Sequence, residues 1–190
     1  NIGDIYVTGS NSIGMYGDGI GSSVYNNGNI YLDATGATSL NLKNQMIGIY
    51  LDNGAHGENW GDVKTLSNYA GNTNVNTLVG ISVQRGSTFE NHGNIEINSD
   101  NGVGVYVNNG IIKNYGTITV IGDESTGVKY KNGEVAPGVP LTPSNVGGTV
   151  TSVGGNSFEE LLSNPTATVG NVVIAPDANG RLVATLNGIE

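Results

Sequence analysis

Asn91-His92-Gly93-Asn94-Ile95 and Asn114-Tyr115-Gly116-Thr117-Ile118 are two copies of one unit, Asn-x-Gly-x-(Ile/Val). Three earlier copies, Asn1-Ile2-Gly3-Asp4-Ile5, Asn26-Asn27-Gly28-Asn29-Ile30 and Asn59-Trp60-Gly61-Asp62-Val63, keep the same internal phase. Successive asparagines stand 25, 33, 32 and 23 residues apart, a range of periods in which solenoid folds are sought first. A second unit, glycine followed by an apolar residue and often Tyr, alternates with the first: Gly14-Met15-Tyr16, Gly48-Ile49-Tyr50, Gly80-Ile81-Ser82, Gly104-Val105-Tyr106 and Gly127-Val128-Lys129. Two interleaved units within one period describe a coil with several faces. Apolar residues alternate around Phe89-Glu90-Asn91, Ile95-Glu96-Ile97 and Val103-Gly104-Val105-Tyr106-Val107, as strands with one buried face require. No single coil could bury its apolar face, so coils must stack, at roughly 4.8 Å each, to close a core and pair their backbones. The sequence therefore reads as an all-β parallel β-helix, or β-solenoid, of about five three-strand coils over residues 1–133, with residues 134–190 as an irregular C-terminal excursion or cap.

Composition agrees with that reading and excludes others. Glycine supplies 31 of 190 residues and charged residues only 12%, which disfavours charge-studded helices and suits turns between short strands. A hydrophobic content of 37% suffices for a thin continuous core. The net charge of -9 opposes a nucleic-acid backbone or an anionic membrane surface as partner, since both call for clustered Lys and Arg. No apolar run approaches the length of a membrane span, so direct membrane insertion of this segment is not expected. Cysteine is absent, which removes disulfides and Cys-based metal sites. The chain starts inside a repeat at Asn1, as an excised or processed piece of a longer protein would.

Placed at a corner of each coil, Asn1, Asn26, Asn59, Asn91 and Asn114 form a structural ladder in which each amide donates to one neighbour and accepts from the other. The glycine two residues later is expected to permit a positive φ at that corner. From the Ile or Val of the first unit to the glycine of the second the separations are 9, 18, 17, 9 and 9 residues. The extra length therefore sits at one corner of coils two and three, about residues 33–45 and 65–77, and should project as a ridge. Solenoids commonly place binding surfaces on such insertions, although neutral loop growth costs little entropy and explains them equally well. Asp33, Asn72 and Asn74 are the candidate ridge contacts. A second candidate surface is the stripe Tyr16, Tyr50 and Tyr106, which could grip a sugar ring or a peptide or simply stack across strands. If Val105 and its equivalents point inward, strand alternation turns Gly14, Gly48, Gly80, Gly104 and Gly127 outward as a groove beside that stripe.

Catalytic signals are weak. The expected outward column of the first strand, Tyr6, Tyr31, Lys64, Glu96 and Thr119, holds one carboxylate, whereas a glycosidase or uronate lyase wants several converging on one face. Asp4 and Asp62, two coils apart at about 10 Å on the stacking distance, are too far apart for a retaining pair and marginal for an inverting one. His56 and His92 occupy different corner positions and read as solvated. Asp18, Asp52 and Asp100 read as tight-turn residues. No catalytic, metal or cofactor site is assigned. The competing class is a polysaccharide-binding or -cleaving β-helix protein.

After Gly133 the repeat stops, and Pro137, Pro140 and Pro143 cannot belong to an inner strand. Ser157-Phe158-Glu159-Glu160-Leu161-Leu162 predicts a short capped helix, and the apolar runs 172–175 and 182–186 around Asn179-Gly180 predict a hairpin.

The phrases Gly9-Ser10-Asn11-Ser12-Ile13-Gly14-Met15-Tyr16-Gly17, Asn91-His92-Gly93-Asn94-Ile95 and Asn114-Tyr115-Gly116-Thr117-Ile118-Thr119-Val120 resemble the passenger repeats of very large type V autotransporter adhesins, especially the fusobacterial type. The resemblance covers about residues 1–133. It implies a right-handed β-helix on the bacterial cell surface, anchored in the outer membrane through a C-terminal β-barrel translocator that lies elsewhere in the protein. It further implies adhesion, coaggregation or host-cell binding without catalysis. The partner would be a host-cell or bacterial surface protein or glycan. The matching motifs are structural, so no binding residue is carried over.

Overall fold

In a computed structural model the described residues are 1–130 and, beyond them, the strands Thr149–Val153, Thr168–Val169, Val172–Pro176 and Leu182–Leu186. Among these residues every regular element is a strand, and the strands fall on the faces of stacked parallel coils. The first face holds Ile5–Val7, Ile30–Leu32, Val63–Thr65, Ile95–Asn98 and Thr117–Ile121. The second holds Ile13–Asp18, Ile47–Asp52, Val79–Gln84, Val103–Asn108 and Thr126–Tyr130. The third holds Ser23–Asn26, His56–Asn59, Thr88–Asn91 and Ile111–Asn114. Each strand pairs in parallel with the equivalent strand one coil away, as the phase of the repeated unit requires. Ile5, Ile30, Val63, Ile95 and Ile118 align on the first face, and Met15, Ile49, Ile81, Val105 and Val128 on the second.

Those aligned aliphatics are the core. Ile30, Val63, Ile95 and Ile118 are fully buried, and on the third face Val24, Gly57, Phe89 and Ile112 form the inward column. Phe89 is tolerated because its neighbour in that column has no side chain: a Cβ on Gly57 would come within 2.6 Å of the Phe89 ring. Large and small residues thus interdigitate along the axis, as close packing demands.

The corners are set by backbone conformation at fixed register. Asn11, Gln45, Thr77, Asn101 and Glu124 precede the second-face strands at equivalent positions, and all five are left-handed, with φ between 50° and 55°. This corrects the expectation that the glycine of Asn-x-Gly carries the positive φ. Gly28, Gly61, Gly93 and Gly116 are conserved in phase for another reason: a Cβ on any of them would overlap the carbonyl oxygen of the equivalent glycine one coil before. The coils approach so closely there that no side chain fits between them.

The glycines of the second unit are corrected too, because they do not line an outward groove. A Cβ on Gly48 would lie 2.7 Å from Val63, one on Gly80 2.8 Å from Ile95 and one on Gly104 2.5 Å from Ile118, all core residues. Both Gly104 and Val105 are therefore directed inward, and strand alternation is interrupted where the chain bends. The residues turned outward are Ile47, Val79 and Val103, one position before each of these glycines.

The first face continues into the segment where the sequence unit is absent. Thr149–Val153 pairs in parallel with Thr117–Ile121, and Thr168–Val169 pairs in parallel with Thr149–Val153. Val172–Pro176 and Leu182–Leu186 then add antiparallel. The helix predicted at 157–162 lies outside the described residues.

Candidate functional site

The asparagine corner is built entirely for structure. Asn1 donates through Nδ2 to Asn26 Oδ1 at 2.8 Å, Asn26 to Asn59 at 2.7 Å, Asn59 to Asn91 at 2.7 Å and Asn91 to Asn114 at 2.6 Å. Each Nδ2 also donates to the carbonyl of the glycine two residues on. Asn26, Asn59, Asn91 and Asn114 are wholly buried. The next residue but two in the unit supports a second, outer set of bonds. Asp4, Asn29, Asp62 and Asn94 each accept the backbone N–H of the following coil through a side-chain oxygen, at 3.0 to 3.2 Å. The carboxylates of Asp4 and Asp62 are thus corner acceptors.

The two insertions lie against one another. Lys43–Asn44 pairs in parallel with Val75–Asn76, and the Tyr69 ring from the second insertion is buried beneath the first. Its hydroxyl accepts the Ala34 N–H at 3.1 Å and donates to Asp33 at 3.4 Å. Asp33 also accepts the Thr35 N–H at 2.9 Å. Hydrogen bonding from Thr35, its side chain first and then its backbone, holds the Asp33 carboxyl below its ordinary value of 3.8 against the opposing effect of burial. Of the predicted ridge contacts, Asp33 is committed to this knot and the Asn72 side chain accepts the Asn74 N–H at 3.1 Å. The Asn74 side chain makes no hydrogen bond among the described residues. Sequence reasoning passed over Leu40 at the ridge tip, which is 98% exposed, with Leu42 nearby at 43%.

On the second face the register aligns Tyr16, Tyr50, Ser82, Tyr106 and Lys129. Tyr16 and Tyr50 stack with ring centroids 5.4 Å apart. The Tyr50 hydroxyl donates to Asp52 at 3.0 Å, and burial, reinforced by that carboxylate, pushes its pKa up to about 12. Asp52 is only 2% exposed. It is gripped by the Arg85 guanidinium through Nε at 2.6 Å and through a terminal nitrogen, and it accepts the Asn53 N–H at 2.9 Å. Asp18, aligned with Asp52 one coil away, accepts the Asn53 amide at 2.7 Å. Asp52 opens the tight turn that the sequence predicts, its carbonyl accepting the Ala55 N–H at 3.2 Å, and its side chain is in addition a buried ion-pair partner. Its hydrogen bond raises the Arg85 pKa further. Asp18, Asp52 and Arg85 thus bring a carboxylate pair beside a basic residue, as Glu58, Glu90 and Lys113 also do on the third face, yet in the first group the tyrosine and the arginine are both held protonated. Neither is poised to take a proton at neutral pH.

His92 is packed, contrary to expectation, whereas the His56 side chain stays 37% exposed. His92 lies between Trp60, at 3.8 Å and 9°, and Tyr115, at 4.7 Å and 11°. His56 is within hydrogen-bond distance of Thr88 Oγ1 at 2.9 Å and stands edge-on to Tyr25. Trp60, His92 and Tyr115 each follow the ladder asparagine of successive coils, the same arrangement by which Tyr6 stacks on Tyr31 at 4.9 Å, whereas Tyr25 and His56 stand at different register positions. Stacking along the axis gives each ring's face to its neighbour and turns its edge to solvent.

Stacked parallel coils, glycine close contacts and a buried asparagine ladder define a parallel β-helix. Residues 1–61, about a third of the chain, match the family described as BigA third pectate lyase-like domain, which is consistent with the resemblance to passenger repeats. No curated protein and no solved structure matches the chain significantly.

Proposed function

We propose that this chain is a non-enzymatic segment of a bacterial surface adhesin of the autotransporter type, a rigid display stalk whose partner contacts sit where the repeat is interrupted. The match of residues 1–61 to the BigA pectate lyase-like domain family supports the surface and adhesive reading. The observation that carries the ridge is the burial of Tyr69 beneath the first insertion together with the pairing of the two insertions. Neutral loop growth supplies no reason for two insertions in adjacent coils to be bolted together, whereas a contact surface needs a fixed shape. An exposed leucine at the tip of so ordered a ridge suits an apolar anchor for a host-cell or bacterial surface receptor. Outer-membrane anchoring through a C-terminal β-barrel belongs to the same proposal.

A second reading, cleavage of an acidic polysaccharide, draws on the alignment of Asp18 with Asp52 beside Arg85. The two readings separate in one experiment, in which the chain is incubated with polygalacturonate while its binding to whole cells is followed. Saturable cell binding without release of unsaturated sugar supports the adhesin. Sustained product formation that Asp52→Asn abolishes would replace it with the enzyme.

A further inference from the structure

One position breaks the aromatic run of the second face. Where tyrosines adjoin in this column they stack, as Tyr16 and Tyr50 do. In the third coil the aligned residue is Ser82, so Tyr50 and Tyr106 stand two coils apart, about 10 Å on the strand spacing. Aromatic pairs place their centroids roughly 4.5 to 7 Å apart, so this interval is the space of one missing ring.

A cavity of about 280 Å³ opens at the gap, and its walls include Ile47, Val79, Ser82, Val103, Tyr106 and Lys129. A cavity near ~150 Å³ already houses benzene, and pockets for drug-sized ligands begin near ~300 Å³. The space therefore fits one ring with a short attachment. Its floor is aliphatic, and the Ser82 hydroxyl oxygen is engaged by the Gln84 amide at 3.0 Å. A pyranose would strand its hydroxyls against Ile47, Val79 and Val103, whereas an aromatic side chain would complete the column. Lys129 at one end is exposed and makes no hydrogen bond or ion pair among the described residues. Lys43, Lys64, Arg85 and Lys113 each have a partner. In a chain of net charge -9, an unengaged ammonium beside an apolar slot selects a ring with a carboxylate close by.

We propose that the Ser82 gap is a binding slot for an aromatic side chain of a protein partner, in which the ring takes the place of the missing tyrosine and an adjacent acidic residue meets Lys129. The proposal rests on the adhesive reading for the presence of a protein partner and adds the chemistry by which that partner is recognised.

The test is an NMR titration of the whole chain with three probes: acetyl-Asp-Phe-Asp-amide, acetyl-Asp-Ala-Asp-amide and methyl galacturonide. The phenylalanine peptide alone should shift the Val79, Ser82 and Val103 amides and saturate in the millimolar range. Ser82→Tyr installs the residue found at the aligned positions of coils one, two and four, and should weaken that binding at least about tenfold with the melting temperature retained. Lys129→Gln lies outside the core and should weaken it several-fold at low salt, a difference that vanishes at high salt. The slot is overturned by equal shifts from the alanine peptide, by binding to the galacturonide alone, by full binding to Ser82→Tyr, or by no shift with any probe at about 20 mM. If the peptide binds and cells do not, the adhesive reading fails and the slot stands. If cells bind and the peptide does not, the slot fails alone.

Discussion

Replacing Asn91 by Ala removes a side chain from the middle of the ladder and leaves three buried groups short of a partner. Asn59 loses the acceptor it reaches at 2.7 Å, Asn114 Oδ1 loses the donor at 2.6 Å, and the Gly93 carbonyl loses the donor at 2.7 Å. A buried group deprived of its partner costs about 1 to 3 kcal/mol. Asn59 keeps its second bond, to Gly61 at 2.6 Å, and the site will partly relax, so the loss should be about 3 kcal/mol. For a chain of this size that lowers the melting temperature by about 6 to 12 °C. Asn1→Ala provides the internal comparison, since Asn1 makes the same kinds of bond but is exposed at the ladder's end. Water can replace it there, and its loss should stay below about 1 kcal/mol. Thermal unfolding followed by circular dichroism, repeated in urea, measures both variants side by side. Equal losses in the two would refute the view that the ladder stabilises through buried amide pairing.

Gly93→Ala should be worse than Asn91→Ala, at more than about 3 kcal/mol, because its Cβ meets the Gly61 backbone, which cannot turn aside as a side chain can; the same melting experiment checks this. Thr77 is β-branched with φ 54°, where coils one and four carry Asn11 and Asn101, so Thr77→Asn should stabilise the chain by about 0.5 to 1 kcal/mol in urea unfolding. Asp33 titrates below its ordinary value in the folded chain, so its contribution is fully present above that value and is lost as pH falls through the lower, folded one. Acidification below pH 3.8 should therefore make the 33–45 insertion newly sensitive to an acid-active protease before the coils unfold.

The coil architecture was legible because it depends on phase: Ile5, Ile30, Val63, Ile95 and Ile118 follow each asparagine at a constant offset, and that offset became strand register. The insertions were legible for the same reason, as added length at one offset. The role of each glycine was not, since Gly28 and Gly104 leave the same mark in a sequence whether they supply a positive φ, a close approach or a bend. Left-handed residues of mixed type reveal where the chain turns, from Asn11 to Glu124 before the second face and at Asn53, Arg85 and Asn109 before the third. Tyr69, Arg85 and Ser82 act across coils of unequal length. Ser82 was visible in the alignment as the break in the tyrosine stripe, but that it opens onto Ile47, Val79 and Val103 follows from the bend at the neighbouring glycines. Asp33 was chosen for its charge, and the structure uses that charge up locally.

The division between a structural repeat and a functional interruption is tested most directly on the ridge tip. Leu40→Ser with Leu42→Ser alters only exposed or half-exposed side chains, so amide hydrogen exchange should show the coils unchanged. Binding of the labelled chain to whole cells should then fall at least about tenfold. Undiminished cell binding by the double variant, with the coils intact, would contradict the account and move the contact surface elsewhere on the helix.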